Sequence, residues 1–209
     1  MLLTQYLNDE MYAVTFKGLK IVFVGEAGER AGDSTYAPFI ERQLAGDDHL
    51  WKICSWHKNQ KAMQIGGKSD DMGWKVYETC KAHGAIIATA HEHSYHRTKT
   101  LTNIQDQIVD PDWSDPNRLR VAPGATFVFV SGLGGKSIRD QERCLPTTYP
   151  YGCKGEWAKI YTRDQRARYG ALFITFNVGG NSQRAEGYFK NVEGELVDEF
   201  EVIADAGSP

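Results

Sequence analysis

No stretch of this sequence approaches the roughly 20 consecutive apolar residues of a membrane-spanning helix, so no membrane span is expected. The opening MLLTQYLNDEMY lacks the charged start and apolar core of a signal peptide, and no export leader is expected either. Basic charge is not in surplus: 24 Lys+Arg against 27 Asp+Glu give a net charge of −3, which argues against a nucleic-acid partner held by phosphate neutralisation. Cysteine is scarce. The four present, Cys54, Cys80, Cys144 and Cys153, form no CxxC pair, so a cysteine-based zinc site is not expected. Cys144 and Cys153 bracket the loop LPTTYPYG, which a disulfide would close in an oxidising compartment; two free thiols are equally allowed in a reducing one. Repeats, low-complexity tracts and long linkers are also missing, and the simplest organisation is a single domain over residues 1–209.

What is present fits a folded chain. Its 209 residues, 41% hydrophobic and 11% aromatic, suffice for a substantial core, and 21 glycines point to many turns. Tyr12 to Phe16 and Leu19 to Val24 are predicted strands joined by the short turn Lys17-Gly18. A helix capped near Asp33 or Ser34 would bury Phe39, Ile40 and Leu44. Trp51 to Trp56 is the next strand. Ser69, Asp70 and Asp71 offer caps for a second helix carrying Met72, Val76 and Cys80 on one face, with Gly84 past its end and a strand over Ala85 to Ala90. Beyond Thr100 helix signals stop, and strands are expected at Thr126 to Val130, on the alternating Leu172, Ile174, Phe176 and Val178, and at Leu196 to Ile203. The fold class is α/β, with metal-ligand strands and helices over residues 12–100 and a mainly β second sheet over residues 101–203.

Chemistry concentrates at one place. Three of the six histidines fall in His91-Glu92-His93-Ser94-Tyr95-His96, directly after an apolar strand. In extended backbone, residues i and i+2 point the same way, so His91 and His93 form a metal-ligand pair in pattern. His57 ends the other short apolar strand, one strand-helix-strand unit earlier. If the two strands are parallel neighbours, both end at the same sheet edge, where α/β proteins build their sites. His83, in a helix's last turn, reads as structural.

Neighbouring residues separate the enzyme families that use such an HxH. The metallo-β-lactamase pattern HxHxDH would need an aspartate where Tyr95 stands, and a cupin would need a glutamate in SYHRTKT, which has none. The succession strand-His57, helix, strand, then HxHxYxRT in His91 to Thr98 resembles the C-terminal half of the calcineurin-like metallophosphoesterases. Tyr95 and Arg97 look most like the purple acid phosphatase branch. The family's GHxH stands here as Ala90-His91-Glu92-His93, and TFVFVSGLGG, Tyr169 to Asn177 and GELVDEFEV resemble its later strands. The resemblance runs from Tyr12 to Ile203, most closely from Trp51 to Thr98.

That resemblance implies the C-terminal portion of a four-layer α/β/β/α sandwich whose N-terminal strands are missing. It also implies a metal-dependent phosphoester hydrolase acting on a phosphorylated small molecule or protein. Two metal ions (Fe, Zn or Mn) would serve the complete protein, with His57 and His91 on one and His93 on the other. Such a pair, about 3.5 to 4 Å apart, activates a bridging water and neutralises phosphoryl oxygens. Lys58 and Arg97, beside the ligands, are candidates for holding the phosphate. Members of the branch are usually exported, so a secreted or periplasmic location is the expectation the resemblance carries.

Other motifs of that family have only imitations here. Gly32-Asp33-Ser34-Thr35-Tyr36 spells GDxxY but leads into a helix, Asp47-Asp48-His49 spells DxH with no strand before it, and no GNH occurs, so the acid histidine is absent. The expectation is therefore a fragment, weakly active or inactive alone, with a sheet edge exposed where the missing strands belong. A non-catalytic binding or structural module derived from that fold is the alternative. A P-loop NTPase is a lesser one: Gly132-Leu-Gly-Gly-Lys-Ser137 ends in GKS, but the first glycine of GxxxxGK[ST] would fall at Val130, inside a strand.

Overall fold

The computed structural model describes residues 3–6, 10–26 and 28–205. Two sheets dominate it. The larger, mixed sheet has eight strands in the order β1 (Leu3–Tyr6), β2 (Met11–Phe16), β3 (Leu19–Phe23), β4 (Trp51–Ser55), β5 (Ile86–Thr89), β10 (Val128–Ser131), β6 (Tyr95–Thr98) and β11 (Trp157–Tyr161). The second has four, β12 (Gly170–Phe176), β13 (Arg184–Asn191), β14 (Leu196–Ala204) and β9 (Arg118–Val121); β7 (Leu101–Asn103) and β8 (Ile108–Val109) form a small ribbon.

Local chemistry explains the elements that carry the site. Lys17 and Gly18 both take positive φ, 50° and 81°, the backbone of a two-residue turn matched to strand twist, and β2 pairs antiparallel with β3. The strands β3, β4, β5 and β10 then run parallel as neighbours, so their C-terminal ends share one edge of the sheet. Helices make the crossovers: α1 (Gly28–Ala31) passes through a π-helical turn (Gly32–Tyr36) into α2 (Ala37–Leu44), and α3 (Trp74–Ala82) links β4 to β5. Phe39, Ile40 and Leu44 of α2, with Val76, Tyr77 and Cys80 of α3, pack on Ala13, Val22, Cys54 and Ile87 of the large sheet. The opposite face of that sheet packs through Trp51, Ile86 and Phe127 on Leu119, Ala185, Phe200 and Val202 of the second sheet. The observed layers are helix, sheet, sheet; among the described residues no α-helix covers the outer face of the second sheet.

Both expected helices begin elsewhere than predicted. Asp33 and Ser34 lie inside the π-helical turn, and the Asp33 carboxylate accepts the Lys75 N–H at 2.9 Å, at the start of α3. Ser69 to Asp71 do not cap α3 either. Its lead-in is held by Gln60 Oε1, which accepts the N–H groups of Asp71, Met72 and Gly73 at 2.9, 2.8 and 3.1 Å. Gly73, at φ 85°, then turns the chain into the helix, leaving Met72 buried but before it. Gly84 closes α3 at φ 65°, as expected. Val178 lies past the end of β12, in a short 3-10 turn. Two disulfides are present, Cys144–Cys153 and Cys54–Cys80, the second tying β4 to α3 across the core.

Candidate functional site

Four loops meet at the C-terminal edge of the parallel strands: Glu26 follows β3, His57 and Lys58 follow β4, His91 to His93 follow β5, and Gly132 to Ser137 follow β10. Backbone bonds fix the central pair, with Trp56 N–H donating to the Ala88 carbonyl at 3.2 Å and Ala90 N–H to the His57 carbonyl at 3.2 Å. His91 sits at φ 61°, a left-handed conformation uncommon for residues other than glycine, though histidine adopts it more readily than most. This turn brings His91 Nδ1 to 3.2 Å from His57 Nε2, the rings meeting edge to face.

Burial, with the nearby charges of Lys68, His57 and Lys58, pushes the His91 ring down to about 4. Burial, Lys68 and Arg139 also lower His93. Both imidazoles are therefore neutral near pH 7, the state that offers a lone pair to a metal. Glu26 Oε1 lies 3.7 Å from His57 Nε2. The Glu26 position, just past a parallel strand, was open to sequence reasoning, but no motif marks it.

The donor set can be tested for fit. Two nitrogens bound about 2.0 to 2.1 Å from one tetrahedral cation lie roughly 3.3 to 3.4 Å apart, so the His57–His91 spacing suits a shared ion. His93 is not part of that pair: its Nδ1 faces the Ser137 hydroxyl at 3.1 Å. Among the described residues no third histidine, cysteine or carboxylate ligand atom lies within 4.8 Å of both ring nitrogens. Cys144, Cys153 and Glu156 do gather that closely, but the two sulfurs are joined in a disulfide and present no thiolate.

The two phosphate candidates part company. Lys58 stays at the edge, its ammonium 3.3 Å from Glu26 and 3.1 Å from Asp71, and these carboxylates raise its pKa. Arg97 does not reach the histidines and corrects the expectation. It is fully buried, donates to Asp198 at 2.8 and 3.0 Å and to the Pro116 carbonyl at 2.8 Å, and lies over the Phe200 ring. Tyr95 donates to the same Asp198 at 2.6 Å. The cause is position: β6 lies between β10 and β11 inside the sheet, so residues on both its faces are buried. The imitation motifs are likewise engaged elsewhere. Asp47 accepts from His49 Nδ1 at 3.1 Å, and Tyr36 donates to Glu10 at 3.2 Å. No helix follows Gly132 to Ser137, so this loop has no P-loop geometry.

Sequence reasoning missed three residues around the HxH turn. Glu92, the residue between the two histidines, is fully buried and flanked by Lys68 and Arg139 from two other loops. Gly66 and Gly132 pack so closely on Glu92 that a Cβ on either would collide with it.

No family model and no curated protein matches this chain. Among solved structures, that of PhoD is similar at a TM-score of 0.33 and 9% identity over 58% of this chain, a match that spans 28% of the PhoD chain. A likeness that loose assigns neither a family nor an activity.

Proposed function

We propose that this chain carries the C-terminal portion of a calcineurin-like, purple-acid-phosphatase-like metallophosphoesterase, residues 1–209 forming one domain portion, and that its chemistry is metal-dependent hydrolysis of a phosphoester. The observation that carries this reading is the convergence of His57 and His91, whose ring nitrogens stand 3.2 Å apart at the ends of adjacent parallel strands. His57 and His91 would hold one metal ion, of iron, zinc or manganese, and His93 would ligate a second in the complete four-layer protein. A bound ion of this type supplies a Lewis acid and an activated water for in-line attack on phosphorus. The chain's own part is to hold the two imidazoles in place on rigid strand ends, backed by the His57 carbonyl to Ala90 bond. Two disulfides favour an oxidising, extracytoplasmic location for the protein.

One observation favours a second reading. Only two ligand atoms converge among the described residues, fewer than a tightly held catalytic ion uses, which suits a non-catalytic module that has kept the fold. Metal analysis by mass spectrometry decides between them, on protein purified without chelator and on a His57→Ala/His91→Ala variant. Metal bound by the unaltered chain and lost in the variant, with at most weak hydrolysis of p-nitrophenyl phosphate, is the expected result. Equal, negligible metal in both proteins would leave the module reading standing.

A further inference from the structure

The turn between the two histidines is gripped from both sides by cations drawn from distant loops. Lys68 Nζ donates to the His91 carbonyl and lies 3.9 Å from Glu92 Oε2. On the other side, the backbone N–H of Arg139 donates to the His93 carbonyl at 3.0 Å, and its Nε lies 3.7 Å from Glu92 Oε1. Glu92 is thus a buried carboxyl group within 4 Å of two cations, its oxygens in no hydrogen bond among the described residues, and each cation's residue is also tied to the backbone of one candidate ligand. The backbone bonds, one to each ligand residue, place both Lys68 and Arg139 beside the imidazoles.

Further charges gather at the turn. Lys136 adds a third cation acting on His93, while Glu142, against Gly67, is the second carboxylate acting on Glu92. The positive charge is the more exposed. It is presented outward: the Glu92 side chain is 0% exposed, that of Lys68 17% and that of Arg139 42%. The carboxylate is hidden while the Arg139 guanidinium, a planar fork suited to tetrahedral oxyanions, faces solvent beside the histidines.

We infer that Lys68 and Arg139 form an oxyanion subsite for the phosphoryl group of the substrate, with Glu92 as the positioning residue that holds both. The ligand class rests on the phosphoester reading above; the subsite itself needs no metal. Arg97, the cation that stood in the motif, is sealed in the core.

Inorganic phosphate is the probe, titrated by calorimetry into the purified chain, into Lys68→Met and Arg139→Gln variants, and into His57→Ala/His91→Ala. Loss of one charge-assisted contact is expected to weaken phosphate binding about tenfold in each cation variant. The histidine variant is compared with the unaltered chain after both are stripped of metal with EDTA, and should then stay within roughly threefold of it, since the metal's own contact to phosphate is absent from both. Lys68→Arg should restore much of the affinity. Arg139 is half exposed, so Arg139→Gln tests the subsite without threatening the fold, and near-UV circular dichroism verifies each variant. Phosphate affinity unchanged in both cation variants would overturn the subsite, as would no binding by the unaltered chain up to about 10 mM phosphate. Binding by the metal-free proteins that is lost in the histidine variant alone would place the anion on the imidazoles and would also overturn it. Failure of the metal reading would show separately, as metal absent from a chain whose cation variants still lose phosphate.

Discussion

His96 shows how burial turns a motif residue into a stability element. It lies three residues past the candidate ligand His93 but is fully buried, with Nδ1 3.1 Å from the Ser94 hydroxyl and its ring against Trp157. Burial pushes its pKa down to about 3, so the native ring stays neutral where the unfolded chain would take a proton. The sign follows from linkage: the contribution is complete above about 6.5, the unfolded value, and is lost as pH falls from there toward the folded value. Each pH unit in that window costs up to about 1.4 kcal/mol per refused proton. Urea unfolding at pH 7 and pH 5 should therefore show the unaltered chain losing about 2 kcal/mol more than a His96→Gln variant, and equal losses would refute the assignment. Arg97 teaches the same lesson in charge. Adjacency to HxH in sequence says nothing of direction in space, and in a strand buried on both faces the guanidinium found Asp198, about a hundred residues on. The approach of His57 to His91, by contrast, could be anticipated from the sequence, because each follows an apolar strand of one strand-helix-strand unit. The i, i+2 rule did not aim His93 there, since the chain turns at His91 and His93 faces Ser137. Lys68 and Arg139 could not be anticipated, since each arrives on a loop with no periodicity to read.

Strands and turns were foreseen best where a local signal is strong. Lys17-Gly18 marks the hairpin, and the apolar runs around Ile53 and Ile87 mark β4 and β5, each within two residues of its observed bounds. Strand order was hidden, because β10 inserts between β5 and β6 and β9 pairs parallel with β14, contacts that no short window contains. The Cys54–Cys80 bond was hidden for the same reason: it depends on how α3 lies across β4, with 26 residues between the partners. It closes the strand-to-helix crossover from which His57 emerges. Closing a loop of this length is worth about 3.5 kcal/mol by chain entropy. A Cys54→Ala/Cys80→Ala chain should lose about that much in denaturant unfolding and still fold, given the apolar partners both positions retain. A loss below about 1 kcal/mol would mean the crossover is held by packing alone.

The two sheets differ in width, eight strands against four, and the mismatch leaves apolar surface without a cover. On β2 and β3 the cross-strand pairs Tyr12–Phe23, Val14–Ile21 and Phe16–Leu19 are partly or fully exposed, although their neighbours Ala13 and Val22 are buried under the helices. The second sheet ends nearby at β12, whose sequence GALFITF has neither a charge nor a proline. Its inward residues Leu172, Ile174 and Phe176 are only partly buried, and Phe173, stacked on Tyr188, is 48% exposed. Edge strands of soluble proteins are normally blunted by charge, proline or a bulge, and an uncharged seven-residue edge is a template for pairing with another chain. A lysine at position 173 would sit on the solvent face, disturb only the Tyr188 stack, and oppose its own copy in any edge-to-edge register centred there. Phe173→Lys is thus expected to slow aggregation, followed by light scattering at elevated temperature, while changing unfolding free energy by no more than about 0.5 kcal/mol. Undiminished aggregation would shift the liability to the open face of β2 and β3, where Phe16→Lys is the corresponding substitution.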